Sequence, residues 1–309
     1  MEFKTYGKIK QLGSLENKDI FSNPEDTIYV QEKIDGANFR FMFSDGRIIF
    51  GSRTQSVGDS EQEIGGNWRR CVEHIKLMMA AMEVDFSEYE GLIFFGECCV
   101  KHSIHYDFDR MPSFLGFDIY DTHSERYFSF ENCVNIFSTM GLSMVPTLGK
   151  FTAKEMTSNP IEGIKSQYYD GEAEGLVFKN YDTQIFAKFV TDKFKEVNKE
   201  HFGARRKDAE NDDELLVNTY CPNARIDKHI FKLKMEGREL ELKLMDTLPK
   251  LVCADIMEEN WQEILSSSWK LDLRNVRRLI TKRCLTVLKD VMFNTTLNEV
   301  SNETESSVH

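Results

Sequence analysis

The sequence predicts an α+β fold, with antiparallel sheets and helices over residues 1–204 and a smaller, mainly helical domain over 218–300. Three observations carry this. Short apolar runs bounded by turn residues, several of them alternating, fill most of the first two-thirds of the chain. Apolar residues spaced three and four apart take over in the last third. Between the two lies GARRKDAENDDE, whose polar composition marks residues 205–217 as a linker. The tail SNETESSVH, 301–309, is expected to be disordered.

Taken in order, TIYVQEKI, ANFRFMF and RIIF read as strands, the last two forming a hairpin around Ser44-Asp45-Gly46. Glu61 to Met82 carries Ile64, Trp68, Val72, Ile75, Met79 and Met82 at helical spacing, so an amphipathic helix with core methionines is expected. GLIFFGECCV and SFLGFDIYD read as buried strands, separated by the loop KHSIHYDFDR. Asn132 to Met140 reads as a helix ended near Gly141. Ser166 to Lys179 and Thr183 to Phe189 read as two more strands around a turn at Asn180 and Asp182. Beyond the linker, ADIMEENWQEIL and LRNVRRLITKRCLTVLKDVM read as helices, the second with Val276, Leu279, Ile280, Cys284, Val287 and Val291 on one face.

The formal net charge of -12 argues against a protein that coats nucleic acid non-specifically. A local basic stretch, Lys188, Lys193, Lys195, Lys199, Arg205, Arg206 and Lys207, leaves room for a specific grip. The seven cysteines form no disulfide-like or metal-like grid, which fits reduced thiols inside a cell. No apolar run approaches the roughly 18 residues of a membrane helix, and MEFKTYGKIK lacks the apolar centre of a signal peptide. A cytoplasmic or nuclear monomer is expected.

Several short segments set charge against strand-like apolar residues: Lys33-Ile34-Asp35-Gly36, Gly51-Ser52-Arg53-Thr54, Phe95-Gly96-Glu97, Glu174 to Lys179, and Ala187-Lys188-Phe189. A charge in such a place must reach solvent, find a partner or serve a pocket. Singly, each has a structural explanation, such as a snorkelling strand lysine or an edge-strand charge. Jointly they supply lysines and an arginine to surround a polyphosphate, and carboxylates to hold a divalent metal. No GxxxxGK[ST] or GxGxxG loop is present, so side chains would have to hold the phosphates. His102, His105 and Asp107 fit no zinc spacing.

This ordered set resembles the covalent nucleotidyltransferases, which include RNA ligases, DNA ligases and mRNA capping enzymes. Within them it is most similar to the RNA ligase 2 family of nick-sealing and RNA-editing ligases. Lys33 to Gly36, with Asn38 and Phe39, matches the nucleotidyl-lysine motif. Gly51 to Thr54, Phe95 to Glu97, Phe117-Asp118, Glu174 to Lys179 and Ala187 to Val190 match the motifs that follow. NARIDKHIFKL, with Arg225 and Ile226, looks like the start of the family's helical C-terminal domain.

The resemblance implies a ligase-type nucleotidyltransferase domain that uses ATP with Mg²⁺, for which Mn²⁺ can substitute. It implies RNA with 3′-OH and 5′-phosphate ends as the partner, nicked duplex above all. Lys33 would attack ATP to form lysyl-AMP, with Glu174, Lys179 and Lys188 as further catalytic groups. Free lysine titrates near 10.4, so nearby cations and a metal would have to lower Lys33. The nucleotide would contact Lys33, Asp35, Asn38, Arg53, Glu97, Phe117, Lys179 and Lys188, with Phe117 stacking on adenine. Glu174 would be the metal carboxylate. Two departures stand out: Phe186 replaces the first lysine of the fifth motif's KxK, and Asp35 stands where some nick-sealing relatives have histidine. Either Lys188 serves alone, or Lys193 or Lys195 compensates. The alternatives are a DNA or RNA–DNA hybrid nick ligase and an inactive RNA-binding relative. The helix-leaning C-terminal third disfavours the β-rich OB domain of DNA ligases and capping enzymes.

Overall fold

The computed structural model describes residues 3–53, 56–58, 66–100, 104, 106–158, 164–191 and 211–306. The chain divides into two compact units, Met1–Phe194 and Lys195–His309.

The strands of the first unit are β1 (Lys10–Gln11), β2 (Thr27–Lys33), β3 (Ala37–Ser44), β4 (Arg47–Ser52), β5 (Ser56–Gly58), β6 (Leu92–Cys98), β7 (Phe114–Asp121), β8 (Arg126–Tyr127), β9 (Thr147–Thr152), β10 (Gly175–Asn180) and β11 (Ile185–Val190). Its helices are α1 (Gly66–Ala81), α2 (Phe130–Thr139) and α3 (Ala153–Ser158). One sheet has the order β1-β11-β10-β2-β9 and the other β5-β4-β3-β6-β7-β8. Pairing is antiparallel except between β1 and β11. The β3–β4 hairpin turns at Asp45 and Gly46, both at positive φ, as the expected DG turn requires.

Strand parity makes each sheet two-faced. On the first sheet Ile28, Val30, Leu176, Phe178 and Ala187 form an apolar cluster. The intervening positions, among them Tyr29, Gln31, Lys33, Val177, Lys179, Phe186 and Lys188, share the other face by register. On the second sheet Phe39, Phe41, Phe50, Phe94 and Phe114 pack as rings, and Trp68 of α1 stacks on Phe39 at 5.2 Å. Asn38, Arg40, Phe95, Glu97 and Asp118 therefore lie on its opposite face. The two polar faces meet where Lys179 of β10 bonds Asp118 of β7.

The described part of the second unit is helical: α4 (Asp212–Tyr220), α5 (Asn223–Met235), α6 (Leu248–Ser266) and α7 (Leu273–Ser306). Leu216, Tyr220, Ile226, Ile230, Val252, Ile280 and Cys284 belong to its core. Arg225 is fully buried in it, donating to Asn260 Oδ1 at 2.8 Å and lying 3.1 Å from Asp255 Oδ2.

Four sequence expectations differ from the structure. Ser166 to Glu174 is not strand, because the chain folds back at Asp170-Gly171: Ser166 N–H donates to the Gly171 carbonyl at 3.1 Å, and Glu32 Oε2 holds Gln167 N–H at 3.0 Å. Residues 212–217, read as linker, begin α4 because the Asn211 side chain caps it and Asp212, Asp213 and Glu214 suit its positive end. Residues 205–210 of that linker lie outside the described residues. The tail expected to be disordered continues α7 as far as Ser306. PTLGKFT supplies β9, which its glycine and proline hid.

Candidate active site

β2 ends at Lys33, and Ile34-Asp35-Gly36 leads directly into β3 of the other sheet. Gly36 is required for this crossing. A Cβ there would lie 2.6 Å from the Cys98 carbonyl oxygen and 2.8 Å from Glu97 Cγ. Asp35 ties the same turn to the segment that follows β6. Its backbone N–H donates to the Tyr106 hydroxyl at 2.8 Å, and its Oδ2 accepts from Ile104 N–H at 3.0 Å.

Glu174 immediately precedes β10, and the register of Gly175 against Lys33 brings it to the lysine. Lys33 Nζ donates to Glu174 Oε1 at 2.5 Å, with 26% and 15% of the two side chains exposed. Burial pulls the Lys33 ammonium down, but Glu174, Glu97 and Asp35 outweigh it and hold the group above the usual lysine value. The protein's own carboxylates thus favour the charged form of Lys33. Burial likewise pushes Glu97 up to about 8; Lys33 opposes this, and the Glu174 and Asp35 carboxylates add to it. Glu97 pairs across the β3–β6 ladder with Asn38, whose Oδ1 is buried with no hydrogen-bond partner. Arg53, half-buried just after β4, acts electrostatically on Glu97.

Lys179 is 1% exposed. Its Nζ donates to Asp118 Oδ2 at 2.8 Å and to the Phe117 carbonyl at 3.0 Å, with the Phe117 ring centred 5.1 Å away. Asp118 also accepts from the Tyr6 and Tyr181 hydroxyls at 2.5 and 2.7 Å. Burial pulls Lys179 below the usual lysine value and Asp118 opposes. The ammonium is therefore engaged by Asp118 and the Phe117 carbonyl. Phe186 stands in register with Lys179 and packs 5.3 Å from Tyr127 and 5.4 Å from Tyr181. Its ring lies 5.6 Å from the Lys179 ammonium, where a lysine would place a second positive charge.

Lys188, half-buried, shares the Lys33 face through Gln31 and Val177. Lys193, Lys195, Thr54, His102 and His105 lie outside the described residues. Asp107 accepts from Arg110 Nε at 2.6 Å on the surface. Among the described residues no group of three or more His, Cys, Asp or Glu is arranged to hold a metal ion. No described helix is long and apolar enough to cross a membrane.

The model of the RNA ligase family matches residues 26–196, more than half of the chain. The chain belongs to the RNA ligase family. Its fold is the α+β architecture that the motif resemblance implied. Solved structures of Naegleria gruberi RNA ligase are similar to it. The one with PPi shares 20% identity over 66% of this chain and 59% of that chain, with a TM-score of 0.49. A mutant with ATP and Mn shares 18% over 62% and 57%, with a TM-score of 0.48. The match thus spans less than three-fifths of each Naegleria chain. A search of curated proteins returned no match.

In this RNA ligase family member, sequence reasoning missed Tyr6, Tyr106 and Tyr181, whose hydroxyls hold Asp118 and the Asp35 turn. Nothing in their local sequence marks them, since the partners are distant in the chain. Asp118 was visible as the second residue of a motif but had no role without Lys179. Gln31 was legible through parity, two residues before Lys33 on one strand face.

Proposed function

We propose that this RNA ligase family member is an ATP-dependent RNA ligase that joins 3′-OH and 5′-phosphate ends through lysyl-AMP and RNA-adenylate intermediates, at nicks in duplex RNA. The observation that carries the reading is Lys33 at 2.5 Å from Glu174, beside Glu97 and on the sheet face that also bears Lys188. A solvated structural lysine has no need of two half-buried carboxylates.

In the first step Lys33 loses a proton, and Glu174 Oε1 is the acceptor within hydrogen-bond reach. The lysine nitrogen then attacks the α-phosphorus of ATP, forming the P–N bond and releasing pyrophosphate. AMP passes to an RNA 5′-phosphate, and a 3′-OH attacks that activated end with loss of AMP. Lys188 and Arg53 supply positive charge for phosphate oxygens. Glu97, protonated at neutral pH because its value is raised to about 8, can donate to a ribose oxygen as well as accept. Asn38 Oδ1 is a further unused acceptor. Phe117 presents its ring for adenine, and Lys179 fixes that strand from below.

The Glu174 carboxylate, 15% exposed beside Lys33, suits Mg²⁺ or Mn²⁺ held otherwise by phosphates and water. When bound, the ion supplies the positive charge that favours a neutral Lys33 and stabilises phosphate oxygens. Incubation with α-labelled ATP and Mg²⁺ tests the reading. Covalent label on the wild type and none on Lys33→Ala is expected. An unlabelled wild type overturns the ligase reading; label on Lys33→Ala overturns the nucleophile. A panel of nicked RNA, DNA and hybrid duplexes and single strands tests the substrate, with nicked duplex RNA expected to be sealed fastest.

A further inference from the structure

Gln31 is 1% exposed, yet neither its Oε1 nor its Nε2 reaches a hydrogen-bond partner. A buried carboxamide with both atoms unpaired is costly, and native structures rarely keep one without a use for it. Its position suggests the use. Gln31 projects from the same face of β2 as Lys33, about 7 Å deeper along the strand. Its neighbours in register are Val177, which is apolar, and Thr147. One row deeper lies Lys179, whose ammonium holds the Phe117 carbonyl at 3.0 Å beneath the Phe117 ring. Along this face the rows therefore present a nucleophilic amine, an unpaired amide and, by Lys179, an aromatic ring.

A carboxamide carries one acceptor and one donor side by side. The group that answers both is a purine edge with an exocyclic amine next to a ring nitrogen, the pattern by which Gln recognises adenine. We infer that Gln31 reads the hydrogen-bonding edge of the purine whose α-phosphate Lys33 attacks, with Oε1 accepting from the exocyclic amine and Nε2 donating to the ring nitrogen. This rests on the adenylyl-transfer reading above. It makes Gln31 a specificity residue that leaves the chemistry to Lys33.

The test compares ATP with purine riboside 5′-triphosphate, which lacks the exocyclic amine. The rate of nucleotidyl-protein formation on the full chain is followed by intact mass. The wild type should favour ATP by about ten- to a hundredfold in kcat/KM. In Gln31→Ala that preference should fall to within about threefold, mostly through a higher KM for ATP, with a smaller loss for the analogue, which makes only the ring-nitrogen bond. Gln31→Met, which keeps the volume, should behave alike and serves if the alanine variant does not fold. An equal loss for both nucleotides, or an unaltered preference, overturns the inference. If the wild type takes up neither nucleotide, the adenylyl-transfer reading falls and the inference with it. Wild-type uptake with an unmoved preference in the variants overturns the inference alone.

Discussion

Lys179→Met separates two roles that the same motif lysine can have. The side chains of Lys179 and Asp118 are 2% and 0% exposed, at 2.8 Å from one another. Removing one partner of such a pair strands the other charge and costs about 3–5 kcal/mol. Asp118 keeps two phenol donors, at 2.5 and 2.7 Å, so the low end applies, about 3 kcal/mol. With a urea slope of about 2 kcal/mol per molar, the unfolding midpoint of the first unit should fall by about 1.5 M. Trp68 emission in a Trp261→Phe/Trp269→Phe background reports that unit. Adding Asp118→Asn removes the stranded charge and keeps an acceptor oxygen for one of the two phenols, so the double variant should recover part of the loss. Lysyl-AMP formation by Lys179→Met should persist with a raised KM for ATP, since Phe117 is less firmly held. Unchanged urea stability together with abolished lysyl-AMP would refute the reasoning, because it would mean that Lys179 touches the nucleotide.

Gly36→Ala places a Cβ 2.6 Å from the Cys98 carbonyl oxygen, so the β2–β3 turn must move. We expect a stability loss of about 1–3 kcal/mol and at least about tenfold slower labelling by α-labelled ATP; wild-type labelling would show that the turn has room. Glu97, raised from 4.5 to about 8, contributes stability that is full below about pH 4.5 and lost as pH rises through about 8, because the folded chain binds the extra proton. The slope is at most about 1.4 kcal/mol per pH unit, reduced by partial solvent access. Wild type should therefore lose stability relative to Glu97→Gln between pH 5 and 8, and urea midpoints that differ by a constant amount would contradict this. Arg274, Arg278 and Lys282 form an exposed stripe along α7. If it contacts RNA phosphates, reversing all three to Glu should lower the slope of log affinity against log salt for nicked duplex RNA by about 2–3; an unmoved slope excludes the stripe.

The predictive power of the sequence was uneven, for physical reasons. Strands with clear parity, such as ANFRFMF and GLIFFGE, were legible because alternate burial is written into neighbouring residues. β9 was not, since Pro146 and Gly149 hid a strand whose partner, β2, lies more than a hundred residues away. The acidic run at Asp212 read as linker because the same residues that solvate a loop also favour the positive end of a helix.

By itself the sequence determined the family and the α+β class, because the types and order of the motif residues are local properties of the chain. Only the tertiary structure decided which of their side chains meet. Register brought Glu174 to Lys33, and the carboxylate favours that lysine's charged form. Burial turned Lys179 inward to Asp118, and strand pairing set Phe186 against it. Those outcomes depend on distance and desolvation between segments far apart in the chain, and neither quantity is carried by any stretch of residues alone.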